Sequence, residues 1–242
     1  MPYLSRIWLN PLRTATRAFL RNPQTVHAAT LGGISTQPVA ERVLWRLEPD
    51  PHTPHRLQLI ALTHSRPSWE HIVEQAGWPA ADEPQILIRG YEPVLAAVVL
   101  GREFGFRLRA NTVGTTKTPD SPSARQKERL ATDARPRGAR VPHRTAGHQL
   151  TWLTERLERW GFAPATDDNG TLAVRLAARE RISFSKNSGH RVVLQTGTFD
   201  GILRITDPET ARHNLLHGVG PGKAYGLGLI TLAPPPATNQ ER

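Results

Sequence analysis

The sequence predicts an α+β chain made of two tandem βαββαβ units, and three observations predict it. Hydrophobic residues, 38% of the 242, fall in short alternating or β-branched runs, separated by stretches of helical periodicity and by Gly, Pro and Asn turns. The first half reads strand, helix, strand, strand, helix, strand, and the second half repeats that order. The longest apolar run, residues 94–100, is far shorter than the roughly 20 residues that span a bilayer, so the runs belong to a folded core and no membrane partner is expected.

Residues 3–10 alternate, with Leu4 and Trp8 among polar neighbours, and predict the first strand. This start lacks the charged, apolar and small-residue zones of a secretory signal, so a cytoplasmic location is expected. Asn22-Pro23 predicts a helix start, Asn as N-cap and Pro in the first helical position. Residues 24–31 are then helical, with His27 in the second turn and Gly32-Gly33 at the end. Residues 43–48 and 56–63 predict a hairpin across the turn-rich segment 49–54. Ser68 opens a short helix ending at Gly77, and residues 85–94 predict the fourth strand.

In the second half, residues 104–112 predict a strand, and 147–160 an amphipathic helix with Leu150, Leu153, Leu157 and Trp160 on one face. Residues 171–184 and 191–206 predict two strands, 208–217 a helix capped by Asp207, and 225–232 the last strand. The βαββαβ order is that of the ferredoxin-like, or RRM-like, fold. The expected domains are residues 1–95 and 102–233, with a boundary within 93–102, a basic loop at 117–144, a glycine-rich loop at 218–228 and a disordered tail at 234–242.

The formal charge is +10 and the pI near 11.0, a field that favours a polyanionic partner through counterion release. Of 31 basic residues four are lysines (Lys117, Lys127, Lys186, Lys223) and the rest arginines, a bias suited to bidentate phosphate contacts. Residues 117–144 hold eight basic residues against three acidic ones, so this loop supplies half of the net charge. The chain has no cysteine, which excludes disulfides, thiolate zinc sites, iron-sulfur clusters and a thiol nucleophile.

The segment Gly218-Val-Gly-Pro-Gly-Lys-Ala-Tyr-Gly-Leu-Gly228 fails both nucleotide-loop templates. His217 and Ala224 stand where a Walker loop needs Gly and Ser or Thr, and no G-x-G-x-x-G occurs. It reads instead as a backbone cradle for phosphate, with Gly218, Gly220, Gly222 and Lys223 as the candidate contacts. No carboxylate cluster suited to one or two divalent ions is visible. His213 and His217 have a spacing that can bind zinc, but no third ligand is suggested. Asp167-Asp168 reads as turn chemistry, and no metal or cofactor is expected.

RNA can be cut without metal, because its own 2'-OH attacks the adjacent phosphorus once a base removes the proton and an acid assists the leaving 5'-oxygen. His27 is the candidate histidine: it lies in the second turn of a helix, beside Ala28 and Ala29, and follows the basic stripe Arg13, Arg17, Arg21.

Several segments together resemble the CasE family of type I-E CRISPR systems. They are Tyr3-Leu-Ser-Arg-Ile, Val26-His27, Phe106-Arg-Leu-Arg-Ala-Asn111, Arg140-Val-Pro, Trp152-Leu153, Gly201-Ile-Leu-Arg-Ile205 and the glycine-rich loop. The resemblance implies two ferredoxin-like domains and metal-independent cleavage of precursor CRISPR RNA at the base of a repeat hairpin. It also implies retention of the product within Cascade. The expected partners are therefore the repeat RNA, the mature guide RNA and other Cascade subunits. The family pairs its helix histidine with a tyrosine three residues earlier; the matching residues here are His27 and Gln24. Glutamine can donate a hydrogen bond to phosphate but is no proton acid, so His27 works with another group or turnover is slow.

By the same analogy Arg107, Arg109, Lys117, Arg137, Arg140, Lys186 and Arg191 are candidates to grip the hairpin. Arg107 and Arg109 alternate on one strand face and fit a solvated edge equally well. Two other functions remain open: a non-catalytic RNA-binding subunit that caps a guide RNA, and a basic DNA binder, which would lack the paired aromatics of an RRM.

Overall fold

The computed structural model describes residues 1–50, 53, 55–116, 124–132, 139–166, 169–185 and 189–235. Strand β1 (Tyr3–Leu9) leads into two separate helices, α1 (Thr14–Arg21) and α2 (Pro23–Gly32), because Asn22 between them is extended (φ −138°, ψ 106°). Strands β2 (Leu44–Pro49) and β3 (Leu57–Thr63), helix α3 (Glu70–Ala76) and strand β4 (Ile86–Gly90) complete an antiparallel sheet of order β2-β3-β1-β4. With helices after β1 and β3, this is the ferredoxin-like arrangement.

Helix α4 (Glu92–Ala97) follows directly. The second half then runs β5 (Glu103–Asn111), β6 (Val113–Thr116), α5 (Ala124–Thr132), β7 (Ala139–Pro142), α6 (Ala146–Leu157) and β8 (Phe162–Pro164). It ends with β9 (Val174–Ser185), β10 (Arg191–Ile205), α7 (Pro208–His217) and β11 (Ile230–Ala233). Its sheet has the order β11-β5-β10, and β8 and β9 share the far side of β10, β8 on residues 203–205 and β9 on residues 191–201. The ferredoxin-like order therefore recurs, with one strand position split between two segments.

Several expected boundaries move. The fourth strand ends at Gly90, because Pro93 in the second position of α4 suits a helix start and the chain coils there. Arg212 of α7 pins α4, donating from Nε to the Leu95 carbonyl (2.9 Å) and from a terminal nitrogen to that of Val98 (2.6 Å). The basic loop is not structureless: it contains α5, and β7 pairs with β6 as a two-stranded arm. The last strand begins only at Ile230, since residues 223–225 form a 3-10 turn. Residues 236–242 of the expected tail lie outside the described residues.

Both faces of the first sheet are covered, which explains why β3 is apolar almost throughout. Ile7, Leu9, Trp45, Leu59 and Ala61 pack against Phe19, Val26, Ile72 and Val73 of the helices. The opposite row, Leu4, Leu62 and Leu44 in cross-strand register, packs into the core of the second half beside Phe104, Phe106, Leu108, Trp152 and Phe199. Burying these side chains on both faces joins the two sheets into one apolar interior, each Leu or Phe contributing roughly 1.5–3 kcal/mol.

Candidate functional site

Helix α2 is placed by its cap and by its neighbour. The Asn22 side chain accepts from the Gln24 N–H (3.0 Å), and Pro23 takes the first helical position as expected. From α3, the His71 Nε2–H donates to the Ala29 carbonyl (2.9 Å) and steadies the helix from behind. His27 is thereby held half-buried, with its Nδ1 buried and unpaired. Burial pushes its imidazole below the ordinary histidine range, and the Arg42 charge lowers it further. A neutral imidazole is the form that can accept a proton.

His27 opens onto a cleft of about 640 Å³ between the two halves. Around it stand Arg42, His64 after β3, His217 at the end of α7, and Ala224 in the glycine-rich loop. Glu41 is not free to act as a base here, because its carboxylate accepts from the His64 N–H (3.1 Å), the Ser65 N–H (2.9 Å) and the Ser65 hydroxyl (2.7 Å). It holds the His64 turn instead. Gln24 presents a buried, unpaired Oε1 in the position expected for the tyrosine, an acceptor with no proton to give.

The glycine-rich loop forms the other wall and lies against the same Trp45 that packs in the α2 core. Gly226 has φ +74°, and a Cβ there would sit 2.4 Å from the Trp45 ring, so both conformation and space require glycine. The expected cradle is corrected at Gly218: it is buried, its N–H donates to Asn214 (2.9 Å), and a Cβ would meet Leu44 at 2.8 Å. That residue closes α7 and packs the loop down. Gly220 and Gly222 are half-buried. Lys223 folds back so that its ammonium donates to the Gly220 carbonyl (3.1 Å), and burial with the nearby Arg42 charge depresses its basicity.

The loop also borders a second, basic groove of about 930 Å³. Arg144, Arg181 and Arg191 line it with Asn111, Gly222 and Tyr225, and Arg191 donates from Nε to the Ser183 hydroxyl (2.9 Å). Arg42, His64 and Arg181 were not singled out by sequence reasoning, His217 only as half of a zinc-like pair and Arg144 only within the basic loop, because strand pairing and chain crossing bring them together from distant positions.

The expected arginine contacts divide. Arg107 and Arg109 share a strand face as predicted, but β5 is an interior strand and not a solvated edge. Arg107 makes a bidentate pair with Asp200 (2.7 and 2.8 Å) and reaches Glu48 at 3.5 Å, and these carboxylates hold its guanidinium firmly protonated. Arg109 is paired with Glu180. Both are engaged with carboxylates within the sheet, which corrects the solvated-edge reading and commits to protein the two guanidinium groups expected to grip the hairpin. The stripe Arg13, Arg17, Arg21 does not continue onto α2: Arg13 precedes α1 and donates to the Gly77 carbonyl (3.2 Å), Arg17 donates to that of Leu12 (3.0 Å), and Arg21 is exposed. Arg140 lies on β7 opposite Thr115, with its side chain outside the description; Lys117, Arg137 and Lys186 are outside the described residues, as are Asp167 and Asp168. Among the described residues no three His, Asp or Glu side chains gather where they could hold a metal ion, and no helix is long and apolar enough to cross a membrane.

Tandem ferredoxin-like sheets, a histidine in the cleft between them and an arginine-lined groove fit a protein of the RNA-handling class. A family model described as CRISPR associated protein matches residues 2–234. The CRISPR-associated endoribonuclease Cse3 of Thermus thermophilus is 32% identical over 238 residues, covering 96% of this chain and 100% of that protein. The CRISPR system Cascade subunit CasE of Escherichia coli is 26% identical over 192 residues, 79% of this chain and 88% of the relative. The structure of Thermus thermophilus Cse3 bound to an RNA representing a pre-cleavage complex superposes with a TM-score of 0.72 at 31% identity, over 96% of this chain and 99% of that one. The chain belongs to the CasE/Cse3 family.

Proposed function

We propose that this chain is a metal-independent endoribonuclease that binds the repeat hairpin of precursor CRISPR RNA, cleaves it by 2'-OH attack and stays with the product in Cascade in the cytoplasm. Its two working parts are residues 1–95, which carry His27, and residues 102–233, which carry the basic groove and the glycine-rich loop. The observation that carries the reading is His27 itself, in a family whose relatives include a named endoribonuclease. Its imidazole is half-buried, with burial and Arg42 both disfavouring the charged form, and it opens onto a cleft of about 640 Å³ between the two halves. His27 takes the 2'-OH proton; Arg42, which lines the same cleft, supplies positive charge for the phosphorane as it forms. Arg144, Arg181 and Arg191 hold the hairpin by shape and phosphate contacts, as an A-form helix requires. The glycine-rich loop borders the groove with Gly222 and the cleft with Ala224, and Gly220, Lys223, Arg13, Arg17, Arg21, Arg140, Lys117, Arg137 and Lys186 remain proposed RNA contacts.

Repeat RNA incubated with the protein in EDTA should still be cut, and a 2'-deoxy nucleotide at the scissile position should abolish cleavage. His27→Ala should slow the cut by about 10²–10⁴-fold while RNA affinity stays within a few-fold. Cleavage by His27→Ala at the wild-type rate would sink the assignment. Gln24 favours the second reading, a non-catalytic subunit capping a guide RNA, since it removes the acid that the resemblance implies. Tight binding without any cleavage would establish that reading instead.

A further inference from the structure

With Gln24 unable to give up a proton, the leaving 5'-oxygen needs an acid from elsewhere in the cleft. We propose that His217, at the C-terminal end of α7, is that general acid. The inference rests on the ribonuclease reading above and names the second catalytic residue of the same site.

Three observations carry it. His217 is exposed and lines the same cleft as His27, from the opposite half of the chain. Its Nδ1 lies 2.9 Å from the His213 carbonyl; a carbonyl can only accept, so the Nδ1 bears hydrogen and the exchangeable proton is on Nε2. The ring is also held in place: His213 stacks on it with centroids 4.2 Å apart, and His64 stands against it at 6.0 Å. An imidazole with one nitrogen committed to a backbone carbonyl and its plane fixed by a neighbouring ring is oriented for proton transfer through the other nitrogen. The charged or titratable groups around it are His213 on its own helix, His64 after β3, and His27, Glu41 and Arg42 across the cleft.

The step balances without a co-reactant. Neutral His27 takes the 2'-OH proton, the 2'-oxygen bonds to phosphorus, and the bond from phosphorus to the 5'-oxygen breaks. Protonated His217 gives its Nε2 proton to that oxygen. The products are a 2',3'-cyclic phosphate and a 5'-hydroxyl, and the two histidines exchange protonation states through solvent before another turnover.

The test replaces the leaving oxygen by sulfur, which departs without an acid. Full-length protein is assayed in EDTA, in single turnover, on repeat RNA with either a normal or a 5'-bridging phosphorothiolate linkage at the scissile position. His217→Ala should cut the oxygen substrate at least about 100-fold more slowly than wild type. It should cut the sulfur substrate within a few-fold of wild type, while His27→Ala remains slow on both. His217→Ala at the wild-type rate on oxygen, or equally slowed on both substrates, overturns the assignment. Rescue by sulfur seen with His64→Ala instead of His217→Ala also overturns it, giving the role to His64. Wild-type protein inert on both substrates would overturn the ribonuclease reading, and the inference with it.

Discussion

At the scale of the residue, the decisive fact about His27 is that burial and Arg42 disfavour its imidazolium together. A base must be neutral to work, and a group whose folded pKa lies below the ordinary value of about 6.5 becomes neutral at correspondingly lower pH. The acidic limb of the single-turnover rate should therefore lie below pH ~6.5. Arg42→Gln removes the like charge and leaves the burial, so the limb should move up towards that value without reaching it. A limb that stays in place would show that Arg42 does not act on His27. His27 was legible in the sequence because its helix announces itself through Asn22-Pro23. His217 was legible only as one of an i, i+4 pair, which is equally a zinc spacing, a stack or a surface feature. What separates these is the carbonyl on Nδ1 and the facing cleft, and neither is written in local spacing.

At the scale of the element, the glycine-rich loop is a packing device before it is a phosphate cradle. Five of its glycines, Gly218, Gly220, Gly222, Gly226 and Gly228, have φ between +67° and +94°, and Gly226 lies directly on the Trp45 ring. Gly226→Ala adds left-handed strain of about 1–2 kcal/mol, and its methyl group must also displace the ring or the loop. The expected result is a Tm lowered by several degrees, together with slower cleavage, because Trp45 shares a core with Val26 next to His27. Gly147→Ala, in the first turn of α6 with open space around it, is the control: it should leave cleavage unchanged and should hold or slightly raise the Tm. Composition showed that this loop was special, but not which side of it faced protein. Likewise residues 117–144 read from composition only as a basic, Pro-containing loop, whereas residues 124–132 form α5 and residues 139–142 pair as β7 with β6 at 113–116.

At the scale of the molecule, the proposed chemistry requires His27 from one half and His217 from the other to keep a fixed relation, and Arg46 is the residue best placed to maintain it. It is 3% exposed and comes from β2 of the first sheet. It forks onto Glu48 (2.8 and 3.2 Å) and also donates to the Arg107 carbonyl (3.2 Å), the Leu229 carbonyl (3.1 Å) and the Thr231 hydroxyl (2.9 Å) of the second half. Glu48 in turn meets Arg107, which is paired with Asp200, so charges from both sheets form one connected network. The tandem repeat was legible as a count of segments, but this junction was not, because Arg46 looks like any polar residue of an alternating strand. Removing one member of a buried ionic network leaves the others unpaired, typically at a cost of about 3–5 kcal/mol. Glu48 keeps Arg107 and Gln58 as partners, which places Arg46→Ala near the lower end of that range. Denaturant unfolding should show this loss, with the transitions of the two halves drawing apart. The rate of RNA cleavage should fall further than RNA affinity, since the groove arginines all belong to the second half while the cleft needs both. Equal losses in binding and cleavage would mean that the junction supports the groove and not the relation between the two histidines.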